Sequence, residues 1–359
     1  MTRPRIAYLI NSVEGGGAAI PVPAVVAALE REGFSVTVLA LTRRDARALP
    51  TFAAAGIVVR VRGGGERDHV AAIRWIRRQL SELKPDILWT SLTRATLLGQ
   101  LAARRIPIVS WQHAAFLKPA NRRLLRLRRR RSSLWIADSE QVAALTMERL
   151  GVEPERLLVW PLFAADPAAP RAVPWRPGEA IRIGSLGRLH PVKGYDVLIT
   201  ALAKLRGTLP VMTVTVAGEG TERAALVAQA RAMGVTINFS GFASDPRAFL
   251  AGLHLYLQPS RSEGLCVAAH EAMAAGLPVI ASAVGELPSS IVPGTGDTVP
   301  PGDPAALADA IRAMLAEPEK LATMGEAARH RVMDRFGPDR FAAFAQAVAE
   351  RLRAILAAV

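Results

Sequence analysis

Short apolar runs alternate with amphipathic stretches along the whole chain. Residues 6–10, 36–41, 57–61, 87–89, 106–111 and 134–137 are apolar and rich in β-branched side chains. Helical spacing separates them at 21–32, 68–83, 94–103 and 140–149, the first opened by Pro21 and closed by Gly33. Nearly continuous apolar strands alternating with helices predict a parallel sheet covered on both faces. Five prolines (Pro161, Pro167, Pro170, Pro174 and Pro177) and Gly178 then break the pattern. It resumes with strands expected at 181–186, 212–217, 236–239, 253–257 and 278–281, and helices at 194–206, 221–232, 245–251, 266–275 and 304–316. A final helical spacing runs from Pro338 through Phe341, Phe344, Val348, Leu352 and Ile355.

The expected fold is therefore α/β, two tandem Rossmann-like doubly wound domains facing a cleft. Their expected bounds are 1–165 and 179–337, joined by a Pro-rich linker at 166–178, with the helix at 338–359 packing back near the first domain. In such sheets ligands sit beyond the carboxyl ends of the strands.

Composition changes this picture in two ways. Cys266 is the single cysteine, which excludes a disulfide framework and a multi-cysteine zinc site. The formal net charge is +14, and it is lopsided. Residues 1–176 hold 28 Lys/Arg against 14 Asp/Glu, leaving 17 of each for the rest. The first domain is expected to meet an anionic partner and the second is not. The run at 6–10 is too short for a signal-peptide core and is cut by Asn11, so a cytoplasmic protein is expected, peripheral on the inner face of the plasma membrane if it meets lipid.

Three stretches carry candidate chemistry. Gly15, Gly16 and Gly17 follow the first strand, where glycine lets backbone amides approach a phosphate or a sugar; a tight turn explains them equally well. Residues 187–194 follow the first strand of the second domain and hold Arg188 and Lys193. A guanidinium fork and an ammonium point charge suit a diphosphate. Residues 262–280 hold Glu263 on a loop and Glu271 in an otherwise apolar helix. Eight residues are about two helical turns, so the two carboxylates share a side if the helix begins early. A carboxylate on an apolar helix needs donors, which a ribose diol supplies, or loses its charge. Gly264 and the amides after it would lie at that helix's N-terminus.

These motifs, Gly187-Arg188-Leu189 with Lys193-Gly194, Ala217-Gly218-Glu219-Gly220, Gly241-Phe242 and the paired glutamates, resemble family 4 glycosyltransferases of the glycosyltransferase-B fold. The first half is similar more loosely, through its glycine loop and Gly33 to Val38. The resemblance implies a retaining, metal-independent hexosyltransferase that takes a nucleoside-diphosphate sugar and needs no cofactor. It implies that Arg188 and Lys193 hold the diphosphate, that Glu271 accepts from the ribose, and that Glu263, Gly264 and Leu265 hold the sugar. Gly218, Gly241 and Phe242 would line the nucleotide, and Gly16 and Gly17 would close over diphosphate and acceptor. His113 matches a histidine placed near the transferred sugar. Two departures stand out. An acidic residue expected near the start of the first helix is missing at Ala19, and Cys266 and His270 replace a common proline and a common apolar residue.

Residues 122–131 hold Arg122, Arg123, Arg126, Arg128, Arg129, Arg130 and Arg131 with three leucines, after Phe116, Leu117 and Pro119. Anionic lipid attracts such residues at about 1 kcal/mol each. Peripheral membrane contact is expected, suiting a lipid-linked or polysaccharide acceptor, with the run Arg128 to Arg131 as its densest part. No nucleic acid is expected, because no aromatics interleave with the arginines. A sugar-nucleotide epimerase and a non-catalytic lipid or nucleic-acid binder are the rival readings.

Overall fold

The computed structural model describes residues 3–113, 117–205, 207 and 211–358. Two compact units emerge, one of Met1–Ala164 with Asp339–Val359, the other of Ala165–Pro338.

The first unit holds strands β1 (Arg5–Ser12), β2 (Ser35–Thr42), β3 (Val59–Val61), β4 (Ile87–Ser91), β5 (Ile108–Gln112), β6 (Leu134–Ala137) and β7 (Leu157–Val159). All pair in parallel in the order β3-β2-β1-β4-β5-β6-β7. Its helices are α1 (Val22–Arg31), α2 (Leu49–Ala54), α3 (His69–Leu83), α4 (Thr93–Ala102), α5 (Pro119–Arg128) and α6 (Glu140–Leu150). Every residue of β4, β5 and β6 is buried, as the unbroken apolar runs require of strands covered on both faces.

The second unit repeats the plan. Strands β8 (Ile181–Leu186), β9 (Met212–Ala217), β10 (Asn238–Gly241), β11 (Leu255–Gln258), β12 (Val279–Ser282) and β13 (Gly296–Val299) run parallel in the order β10-β9-β8-β11-β12-β13. Helices α7 (Tyr195–Lys204), α8 (Arg223–Ala232), α9 (Pro246–Ala251), α10 (Val267–Ala274), α11 (Leu287–Ser290), α12 (Pro304–Leu315) and α13 (Leu321–Phe336) belong to it. The last helix, α14 (Pro338–Ala357), returns to the first unit. Its Phe341, Ala345, Val348, Ala349 and Leu352 join that unit's core, and the Phe341 ring sits 5.4 Å from Trp160.

Both sheets place their first strand beside their fourth, so the order reverses between β1 and β4 and again between β8 and β11. A crevice opens at such a reversal beyond the strand ends, and it receives the loops of both flanking strands. Residues 161–180 carry no helix or strand, but from Ala165 on they are held within the second unit: Arg329 donates to the carbonyls of Pro167 and Ala274, and Trp175 packs against the core.

Several elements lay outside the sequence expectations. The strands β7 and β13 and the helices α2, α11 and α13 were not anticipated. Helix α10 begins at Val267, with Cys266 in the left-handed region at φ 66°. The early start that would put Glu263 and Glu271 on one helix therefore does not occur. A non-glycine residue at positive φ ends helical geometry on its N-terminal side, and Glu263 stays on the loop.

Candidate active site

At the carboxyl end of β8 the chain turns through Gly187 to Gly194. A Cβ on Gly194, whose φ is +67°, would collide with the Pro259 carbonyl. One on Gly218 would strike the Gly187 carbonyl, and one on Gly220 the Leu189 carbonyl. These glycines let three loops pack backbone on backbone, with Gly187 N–H donating to Ala217 O (3.0 Å), Leu189 N–H to Glu219 O (2.9 Å) and Gly218 N–H to Gly241 O (2.6 Å). The motif glycines thus build the platform that fixes Lys193.

Lys193 ends a short 3-10 turn and donates to Glu263 Oε1 at 2.6 Å. The two side chains are 19% and 10% exposed. Ser260 Oγ (2.6 Å) and Gln258 Nε2 (3.2 Å) donate to the same oxygen. Gln258 is itself held by the Tyr256 hydroxyl at 2.9 Å. The pair joins the loops after β8 and β11, the two strands that flank the reversal. Burial pulls the Lys193 ammonium down, but the Glu263 carboxylate outweighs it and holds the lysine up at about 12. All three of these donors use Oε1, and the Cys266 thiol also hydrogen-bonds to the Glu263 carboxylate. Arg188 is exposed and makes no ion pair among them.

Beyond Glu263, the N–H groups of Gly264 and Leu265 carry no hydrogen bond among the described residues, while Gly264 O accepts from Glu286 N at 2.9 Å. They lie just ahead of α10, at whose N-terminus an anion or a hydroxyl oxygen is favoured. Glu271 lies one turn into α10, half-buried, and its side-chain carboxylate makes no hydrogen bond among the described residues. Burial pushes its carboxyl up to about 7, opposed only by Arg247. His270 is fully buried between Cys266 O (2.9 Å) and Ser290 Oγ (2.7 Å), and burial pushes it down to about 4, so it is a neutral structural residue at pH 7. Phe242 is 47% exposed beside Gly241, whose φ is +83°.

In the first unit His113 immediately follows β5. Its Nδ1–H donates to Asp138, with both carboxylate oxygens at 2.9 Å, and its Nε2 faces Ser91 Oγ at 3.0 Å. The Tyr8 hydroxyl reaches the same Ser91 oxygen at 2.9 Å. Sequence reasoning missed Asp138, Ser91 and Tyr8. The available signal was position: Ser91 ends β4 and Asp138 is the first residue after β6, where parallel strands present polar groups to ligands. Gly16 follows β1; a Cβ there would meet nothing within 4 Å. No positive φ occurs at Gly15, Gly16 or Gly17, and the Gly16 carbonyl accepts from the N–H groups of Ala19 and Ile20 (both 3.1 Å), so the tight turn is present as well.

The basic stretch needs a correction. Arg128 donates to Gln100 O (2.9 Å), Arg129 to Arg126 O (3.0 Å) and Arg131 to Ala103 O, while Arg130 lies 3.6 Å from Glu153. Arg128, Arg129 and Arg131 are tied to their own unit through carbonyls at loop and helix ends, while Arg130 stays 76% exposed. The solvent-facing set is Arg122, Arg123, Arg126 and Arg130, the first three beside Leu124 (47% exposed) and Leu127 (78%). Phe116 lies outside the described residues. Among the described residues no cluster of three metal-ligating side chains occurs, and no helix is long and apolar enough to cross a membrane.

Comparison with known proteins gives this geometry a family. Residues 171–331 match the family described as glycosyl transferases group 1, and residues 15–164 match glycosyltransferase family 4. The lipopolysaccharide core biosynthesis mannosyltransferase LpcC of Rhizobium leguminosarum bv. viciae is 32% identical over 289 residues, covering 76% of this chain and 77% of that protein. A glycogen synthase of Mycobacterium tuberculosis is 36% identical over 201 residues, 54% of this chain and 45% of that one. The chain thus spans about half the length of several of the curated relatives it matches. Among solved structures, Anabaena HepE in complex with UDP and glucose superposes with a TM-score of 0.82 at 22% identity, over 98% of this chain and all of that one. Sucrose-phosphate synthase from Thermosynechococcus elongatus gives 0.82 at 21% identity, over 99% and 100%. The chain belongs to the group 1, family 4 glycosyltransferases and has the glycosyltransferase-B fold.

Proposed function

We propose that the protein transfers a hexosyl unit, with retention, from a nucleoside-diphosphate sugar to a lipid-linked or glycan acceptor. The observation that carries this reading is the Lys193–Glu263 pair at the β8/β11 reversal, with Arg188 exposed and unpaired beside it. HepE was solved with UDP-glucose, and LpcC is named a mannosyltransferase, which supports a nucleotide sugar as donor class.

Each group then has a role. Arg188 and Lys193 hold the diphosphate and stabilise the charge that grows on it as the glycosidic bond breaks. Glu263 and the N–H groups of Gly264 and Leu265 take hydroxyls of the sugar. Glu271 accepts from the ribose, whose hydroxyls would let it ionise below its ligand-free value. Phe242, Gly218 and Gly241 line the nucleotide, and Gly16 and Gly17 take ligand from the first unit. His113, oriented by Asp138, lies near the transferred sugar. Departure of the nucleoside diphosphate leaves an oxocarbenium-like carbon. The acceptor oxygen attacks from the same face, and a leaving-phosphate oxygen takes its proton. The chain is expected to work at an anionic membrane surface through Arg122, Arg123 and Arg126.

Lys193→Ala should abolish transfer and weaken nucleotide-sugar binding. A thermal-shift panel of nucleotide sugars checks both donor and site, since a bound donor stabilises only the folded state. Full activity in Lys193→Ala would sink the site assignment.

A further inference from the structure

An open pocket lined by charged residues lies wholly in the first unit, at the carboxyl ends of β2 and β3. It encloses about 320 Å³ and is lined by Thr42, Arg43, Arg44, Arg62, Glu66 and the glycine run 63–65. Carboxyl strand ends are where parallel sheets take ligands. The loops after β1 and β4 also reach it. Arg44 pairs with Glu14 from the loop after β1 and with Glu66 (2.7 Å) from the loop after β3. Arg94, at the start of α4, donates to Gly65 O at 3.2 Å.

The walls of the pocket are built and carry surplus positive charge. Arg62 is 5% exposed and spends its donors on Leu41 O (3.0 Å), Gly65 O (2.7 Å) and a forked pair with Asp68 (2.6 and 2.9 Å). That fork fixes the glycine run, and a Cβ on Gly64 would collide with the Arg62 guanidinium. Asp68 also serves Arg94, 3.9 Å away, so one carboxylate answers two guanidiniums. Arg94 Nε is buried with no partner among the described residues. Burial first, then the Arg62 and Arg44 charges, push the Arg94 guanidinium down, opposed by Asp68 and Glu66. Arg43 is exposed on the lining with no partner among the described residues. The N–H groups of Gly63 and Gly64 likewise donate to nothing there. Arg43, Arg44, Arg47, Arg62, Arg67 and Arg94 stand against Glu14, Asp45, Glu66 and Asp68. Arg44, Arg47, Arg62 and Arg94 are paired, and among the described residues the lining keeps the Arg43 guanidinium, one orphaned N–H of Arg94 and two glycine amides without partners.

We propose that this pocket binds an oxyanion, a phosphate or a carboxylate, carried by the acceptor. A free guanidinium beside successive glycine N–H groups is the donor set an oxyanion needs. Assigning the anion to the acceptor rests on the glycosyltransferase reading above; the anion site itself does not.

The test titrates inorganic phosphate, D-glucuronate and glucose into the full chain. Thermal shift is read against chloride at equal ionic strength, with phosphorus NMR line width for phosphate. The background is R188A/K193A, which removes diphosphate-site binding. There, phosphate or glucuronate should raise Tm and glucose should not. Adding Arg43→Gln, which changes an exposed and unpaired side chain, should weaken anion binding at least fivefold, and Arg94→Gln should do the same where it folds. Tighter phosphate binding assigns a phosphorylated acceptor, tighter glucuronate binding a uronic one. If neither anion stabilises the R188A/K193A chain, or if Arg43→Gln binds as its parent does, the proposal is overturned. Nucleotide-sugar binding by the unaltered chain is measured in parallel. Its loss would count against the glycosyltransferase reading and leave the anion result standing.

Discussion

At the scale of single residues, Glu271 holds the most informative charge. Its carboxyl stands at about 7 instead of the ordinary 4.5 because burial disfavours the anion. The native state therefore binds that proton more tightly than the unfolded chain does, and stability falls as pH rises from about 4.5 to about 7. Glu271→Gln should remove this slope. The variant should match the parent below pH 4.5 and exceed it by on the order of 2 kcal/mol at pH 8. Urea denaturation at the two pH values measures the difference, and equal gains at both would refute the assignment. The same variant should lose nucleotide-sugar affinity, since its amide is a poorer acceptor for a diol. His113 offers a second test. Asp138→Asn keeps the shape but can donate to Nδ1, which turns the imidazole toward the other tautomer. Transfer should fall tenfold or more with an altered pH–rate profile, while Tm moves little. An unchanged profile would make Asp138 merely structural.

Among the elements, the strand-end loops divide into those built by steric need and those left open. Gly194→Ala puts a Cβ on a residue at φ +67° and against the Pro259 carbonyl, so it should cost about 2 kcal/mol or more and lose activity with it. Gly16→Ala meets no neighbour, so stability should stay within about 0.5 kcal/mol while transfer drops. Gly16→Ala at full rate would remove that loop from the site. Helix α5 divides along the same line. Charge-neutralising Arg122, Arg123 and Arg126 to Gln should abolish binding to phosphatidylglycerol vesicles with Tm unchanged, whereas Arg128→Gln should lower Tm instead. Vesicle binding that survives the triple change would end the membrane reading. This contrast marks what the sequence made legible. The buried strands were readable because a parallel strand covered on both faces must be apolar throughout, and the motif loops because glycine and charge stand at strand ends. Short β7 and β13 and the amphipathic α13 carried weaker patterns. The roles of Arg128 and Arg131, and the Asp138–His113–Ser91 chain, depend on which distant backbone or side chain lies opposite, and no local spacing encodes that.

At the scale of the whole molecule, charge and connectivity follow the two units. The first unit holds 29 Lys/Arg against 15 Asp/Glu and the second 16 of each, so the entire +14 belongs to the unit with α5 and the arginine pocket. A diphosphate needs only a few placed cations, while an extended anionic surface responds to summed charge. Connectivity is less symmetric. The first unit is discontinuous, because α14 completes a core of Tyr8, Trp89, Trp111 and Trp160, whose rings lie 5.2–6.1 Å apart. The second unit is a single stretch that needs no residue of α14 beyond Pro338. Phe341→Ala removes the ring that meets Trp160, and a buried Phe→Ala change costs about 3–5 kcal/mol. That loss should fall on one unit alone. Hydrogen exchange followed by mass spectrometry should show faster exchange in β1, β4 and β5, with β8, β11 and α10 still protected. Nucleotide-sugar binding, whose proposed contacts are mostly in the second unit, should weaken far less than transfer does. Uniform loss of protection across both sheets would mean that the units do not fold independently, and the separation of roles between them would fail with it.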